Sequence, residues 1–152
     1  MSGLIDITNR KQLANLLQKL RPETTPLWGK MNSQQMIEHL IEQVKYTNGK
    51  NIFVYDGPID KAGRQKAKML ISKAGLPKNL VLEILPESFN FPDLETAIKQ
   101  LMTELDDFDQ YFKEPGRSAD HGAYGPMNYQ EWLIWHGKHF THHFKQFALL
   151  PD

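Results

Sequence analysis

Four of the six histidines in this 152-residue chain, His136, His139, His142 and His143, fall in one stretch, NYQEWLIWHGKHFTHHFKQFALL, at residues 128–150. His139 and His143 are four residues apart. On a helix that spacing stacks two imidazoles on one face, one turn apart, so both can reach one ion, as the histidine pairs of zincin helices do. Such a pair needs a third ligand from elsewhere in the chain. Three neutral imidazoles would leave a coordination position free for water or substrate, which is the pattern of a catalytic rather than a closed structural metal site. The competing reading is a helix whose histidines are satisfied by neighbouring groups or by water.

The pattern of the stretch is helical. Asn128 is a suitable N-cap, Glu131 stands three residues later as in a capping box, and Pro151 ends the run. At about 100° per residue, Trp132, His136, His139, Phe140, His143, Phe144 and Phe147 share a broad face with Tyr129, Leu133 and Leu150. Lys138, Thr141 and Lys145 fall opposite, and His142 lies nearer the edge. Three imidazoles on an inward face are costly unless their ring nitrogens find partners.

The third ligand is sought at the rim of another helix. His39 sits at the edge of the apolar stripe of SQQMIEHLIEQVKYT, near Gln35 and Gln43. His121, in a loop, is the other candidate. Around such a site His136 would be an outer partner of the metal ligands or a proton shuttle. Gln35, Gln43 and Gln146 would orient a substrate, and Trp132 and Tyr129 would give an apolar wall or simply pack the core. Glu42 is expected as an exposed surface residue.

The elements that must position these residues are read from periodicity and caps. A first helix begins after Thr8 and runs to about Leu20, with Leu13, Leu16, Leu17 and Leu20 on its apolar face. A second begins at Ser33 as N-cap and runs to Tyr46 or Thr47, burying Met36, Ile37, Leu40, Ile41 and Val44. Trp28, in the linker between them, is expected to plug the core. Residues 48–60 read as irregular, with strand character at residues 52–55 that could pair with residues 80–85. A short helix covers residues 61–73, with Lys61, Arg64 and Lys68 on a solvated face. A long helix follows at residues 92–113, where Leu94, Ile98, Leu101, Leu105, Phe108 and Phe112 mark the seam of a near-antiparallel bundle helix. A Gly- and Pro-rich loop then leads to the histidine helix. The expected architecture is all-α: one domain, residues 1–152, built as a four-helix bundle with a short insert between the second and third long helices.

Composition narrows the chemistry. Lys and Arg number 18 and so do Asp and Glu, which argues against nucleic-acid binding and against a polybasic membrane contact. There is no cysteine, so any metal must be held by nitrogen and oxygen. That absence and the lack of a signal-peptide pattern fit a cytoplasmic protein. Glu-x-x-His, His-Glu-x-x-His, Gly-x-Ser-x-Gly, P-loop and dinucleotide motifs are all missing, which sets aside di-iron, zincin, α/β-hydrolase and nucleotide-dependent chemistries.

The order of these motifs resembles the DinB/YfiT-like superfamily of metalloenzymes. The resemblance lies in His39 within QQMIEHL, in His139 and His143 within KHFTHHFKQ with Gln146 three residues on, and in the stretch HGAYGPMNYQEW. It implies a four-helix bundle, often dimeric, holding a divalent metal through His39, His139 and His143. It also implies a small-molecule substrate and hydrolase or thiol-dependent transferase chemistry, with a low-molecular-weight thiol as a possible partner. Two positions depart from the family pattern. Lys145 follows Phe144 where His-Arg-Gly-Gln is usual, and Gly122 follows His121 where His-Pro is usual; neither removes a ligand. Zn, Ni, Fe and Mn all suit the donor set. The alternative function is a non-catalytic, stress-related bundle that binds a metal or ligand without turnover.

Overall fold

The computed structural model describes residues 3–78 and 88–152. Its elements, in chain order, are α1 (Arg10–Leu17), α2 (Ser33–Lys45), α3 (Ile59–Ile71), α4 (Leu94–Tyr111), β1 (Ala119–His121), β2 (Gly125–Met127) and α5 (Tyr129–Gln146). The protein is an all-α bundle of α1, α2, α4 and α5, with α3 as the insert and one small hairpin.

The four bundle helices start where a side chain can take an orphan backbone N–H, whereas α3 starts after Pro58 with no side-chain cap. Asn9, Asn32, Asp93 and Asn128 accept from the third residue beyond them, and in α2 and α5 Gln35 and Glu131 complete a capping box. Two caps differ from the sequence reading by one residue. Thr8 is instead held in a turn by Asp6, whose Oδ1 accepts from the Thr8 hydroxyl at 2.6 Å. Ser33 is fully buried, and its hydroxyl donates to the Arg21 carbonyl at 2.7 Å. α1 stops at Leu17, but two tighter turns carry the chain to Leu20, which is buried as its spacing requires.

The apolar stripes meet as their periodicity demands. Met36, Ile37, Leu40, Ile41 and Val44 of α2 join Leu94, Leu101, Leu105 and Phe108 of α4, and α5 adds Trp132, Phe140 and Phe144. α5 ends in a Schellman motif rather than running to Leu150. The Leu149 N–H reaches the Phe144 carbonyl at 2.7 Å, and Ala148 takes a left-handed φ of 58°.

Two expectations are corrected, and one feature is added. The loop before α5 contains a hairpin, with Ala119 opposite Met127 and His121 opposite Gly125. Pro126 is accommodated because this two-stranded sheet has only edges. Residues 52–55 form no strand: Tyr55 N–H donates to the Asp120 carboxylate at 2.8 Å, and Ile52 and Val54 are exposed. Their suggested partner, residues 80–85, lies outside the described residues. Finally, the far side of α5 is covered. Ile5 N–H donates to the Thr141 hydroxyl at 2.8 Å, and a Cβ on Gly137 would stand 2.7 Å from the Ile5 carbonyl oxygen. The N-terminal segment therefore crosses α5 there, which buries Thr141, while Lys138 is buried beside the chain after α3, its Nζ donating to the Ser72 carbonyl. Among the described residues no helix is long and apolar enough to cross a membrane.

Candidate metal centre

Three imidazoles from two helices converge inside the bundle. His39 comes from α2, His139 and His143 from α5. His139 Nε2 stands 3.0 Å from His39 Nε2 and 3.1 Å from His143 Nε2. The rings meet edge to face, with centroids 4.7–5.1 Å apart. One potential ligand atom from each lies within 4.8 Å of the others, so the three can hold a metal ion. In a tetrahedral site with metal–nitrogen bonds of ~2.0–2.1 Å, ligand nitrogens stand about 3.3 Å apart, close to the separations found. His39 is half-buried, whereas His139 and His143 are buried, so the site reaches solvent on its α2 side.

Proton bookkeeping favours a cation among these nitrogens. Gln146 donates from Nε2 to the Trp28 carbonyl at 2.9 Å, which turns its Oε1 to His143 Nδ1 at 2.7 Å. An amide oxygen can only accept. His143 therefore carries its proton on Nδ1 and offers a bare lone pair at Nε2. His139 Nε2 then has two nitrogen neighbours. One proton can make one of those contacts a linear hydrogen bond, and the other stays short without one. A cation facing three lone pairs removes that conflict, and it puts the His139 proton on Nδ1, which is buried with no partner among the described residues.

Burial also sets the protonation state. Desolvation, followed by the charge of His142, lowers the His39 pKa to about 4. Desolvation, then His39, lowers that of His143 to about 3. His139 is held well below its ordinary value by burial and then by His143 and His39. All three are neutral at pH 7, the form that ligates metals.

The other residues singled out from the sequence fall in different places. His136 is fully buried beside the triad but not bonded to it. The Thr47 hydroxyl donates to the Val44 carbonyl at 2.7 Å, so it must accept from His136 Nε2–H at 3.0 Å. His136 thus ties α5 to the end of α2, and its pKa is pushed down to about 3 by desolvation. Gln35 is engaged in the α2 capping box, where its Oε1 accepts from Asn32 N–H. Gln43 is half-buried one turn after His39. The Trp132 indole donates to the Ala119 carbonyl at 3.0 Å, anchoring the hairpin. Tyr129 donates to Asp109 at 2.8 Å and stacks on Phe108, a packing role. Glu42 is exposed and accepts from Asn51. His121 stands apart from the triad: its Nδ1 accepts from Ala123 N–H at 2.9 Å, and burial lowers its pKa to about 4.

The aromatic wall belongs to Trp135, which the sequence reading passed over. Its ring lies 4.8 Å from that of His139. The i, i+4 spacing from Trp135 to His139 carried the signal. The Gln146–Trp28 link joins residues far apart in the chain, and no local pattern encodes it.

No curated protein and no solved structure matches this chain. One family model does, over residues 62–149, which takes in part of α3 and all of α4, the hairpin and α5. His139, His143 and Gln146 fall inside that region and His39 lies before it. The match covers more than half of the sequence, and the chain belongs to DUF1569, a family of proteins of unknown function.

Proposed function

We propose that this protein is a divalent-metal-dependent enzyme of the DinB/YfiT-like kind, acting on a small molecule as a hydrolase or a thiol-dependent transferase. The observation that carries the reading is the convergence of His39, His139 and His143 on one point through Nε2. These three would hold the ion, whether Zn, Ni, Fe or Mn. The bound cation would supply Lewis acidity to an oxygen or sulfur of the substrate. Gln146 keeps the His143 proton on Nδ1, away from the ion. Trp135 packs against His139 and gives the site a flat apolar side. Gln43, one turn after His39 on α2, would offer an amide to a substrate. A low-molecular-weight thiol as co-substrate and a homodimeric state belong to the same proposal and follow from the resemblance.

The second reading is a bundle that holds metal or ligand without turnover. It draws on the short nitrogen contacts themselves, which a buried polar network would also make. Turnover separates the two. Metal-loaded protein is assayed on ester, amide and thiol-transfer substrates beside chelator-treated protein and His39→Ala. Metal-dependent turnover lost in the variant is the expected result. Stoichiometric metal with no turnover across the three classes would move the assignment to the binding module.

A further inference from the structure

The side of α5 turned away from the triad borders a cavity of about 500 Å³. At about 100° per residue, Ile134, Lys138, Thr141 and Lys145 point well away from His139 and His143. Leu4 of the N-terminal segment, Trp28 of the linker, and Leu70 and Leu76 of α3 and the chain after it complete the wall. The volume falls within the roughly 300–1,000 Å³ typical of small-molecule sites.

The charge in this wall is unbalanced. Among the described residues, Lys73, Lys78, Lys138 and Lys145 all line it, and the one acidic side chain there, Asp152, already pairs with Lys78 at 2.6 Å. Lys138 is the informative one. It is only 7% exposed, and among the described residues its Nζ makes one hydrogen bond, to the Ser72 carbonyl at 2.6 Å. Among the described residues no carboxylate stands within ion-pair distance of it. An ammonium has three donors, and one that is buried with a single carbonyl and no counter-charge among the described residues is costly there. Trp28 in the same wall has a buried indole N–H with no partner among the described residues. Apolar walls with unused donors and a cation uncompensated among the described residues describe a pocket for an anion with a hydrophobic body.

We infer that this cavity binds a small amphipathic carboxylate, with its apolar part against Leu70, Leu76 and Ile134 and its head group at Lys138. A carboxylate suits better than a phosphate, because Lys138 alone of the wall's lysines is buried, Lys73 and Lys78 being exposed and Lys145 half-buried, and a dianion has more charge to desolvate than that one buried ammonium compensates. The inference does not rest on the metal reading. His142 lies in this wall and touches the His143 ring at 5.0 Å, so independence from the metal is something to measure.

The full-length protein is titrated calorimetrically with octanoate, octylammonium and octan-1-ol, with metal bound and with chelator present. Saturable binding of octanoate, much weaker binding of octylammonium, and no change on chelation are expected. Lys138→Met should weaken octanoate about tenfold or more while sparing octanol. Ile134→Trp, which fills the cavity, should abolish both. If Lys138→Met does not fold, the octylammonium comparison and Ile134→Trp still decide. Absence of saturable octanoate binding, equal binding of octanoate and octylammonium, indifference to Ile134→Trp, or loss of binding on chelation would each overturn the inference.

Discussion

Replacing Gln146 isolates what the outer hydrogen bond does for the site. Its amide makes one buried and one part-buried contact, accepting from His143 Nδ1–H at 2.7 Å and donating to the Trp28 carbonyl at 2.9 Å. Gln146→Leu keeps most of the volume and removes both. A stranded buried partner costs about 1–3 kcal/mol and the part-buried Trp28 carbonyl about 1, so the metal-free variant should lose on the order of 2–4 kcal/mol of stability. The effect on metal is separate. Without an acceptor at Nδ1, the His143 proton is free to sit on Nε2, where it competes with the ion, and the ring loses its orientation. Outer-partner losses of this kind weaken metal binding by about 10–100-fold. Gln146→Glu keeps an acceptor at Nδ1 and makes it anionic, while the donor to Trp28 is lost. It should be destabilised yet bind metal at least as tightly as the native protein. Zinc affinity is read by competition with a chromophoric chelator, and stability by urea unfolding in the presence of excess chelator. Native zinc affinity in Gln146→Leu would refute the tautomer argument, as would equal weakening in both variants.

Acidification should destabilise the metal-free protein steeply. His39 and His121 are held to about 4, and His136 and His143 to about 3, chiefly by burial. Unfolded histidine takes its proton near 6.5, so the unfolded chain binds more protons below that pH. The contribution is fully present above pH 6.5 and lost as pH falls toward the folded values. Between pH 6.5 and 5 each such histidine removes ~1.5 kcal/mol; a Tm unchanged from pH 7 to 5 would contradict this. Thr47→Val strands the His136 Nε2–H and should cost about 1–3 kcal/mol in urea unfolding while leaving zinc affinity unchanged. Ala148→Gly relieves a left-handed φ of 58° at the end of α5 and should raise stability by ~1 kcal/mol, seen as a Tm higher by about 2–4 °C. A lower Tm in that variant would mean the Schellman geometry is not strained.

Much of the fold was legible because its signals are local. The α4 seam, the α2 stripe and the Asn128–Glu131 capping box are each set by residues a few positions apart, and each is present. The convergence of His39 with His139 and His143 was suggested by rim placement and resemblance, and the packing of α2 and α5 brings these rings together. What the sequence did not disclose is set by distant chain. Lys138 and Thr141 lie opposite the triad on α5, as periodicity requires, yet they are not solvated. The N-terminal segment covers Thr141 through Ile5, and the chain after α3 covers Lys138 through Ser72. The hairpin hid in a Gly- and Pro-rich stretch whose strands are three residues each, too short for alternation to show. Residues 52–55 have strand-like side chains, but their composition says nothing about whether a ladder partner exists.

The account stands or falls on metal occupancy. The decisive measurement is elemental analysis of the purified, untagged protein and of its His139→Ala and His142→Ala variants, each after incubation with Zn, Ni, Fe and Mn salts and removal of excess. About one divalent ion per chain in the native protein and in His142→Ala, and none in His139→Ala, is the expected result. A native protein that stays metal-free, or equal occupancy in all three, would contradict the assignment of His39, His139 and His143 as a metal centre.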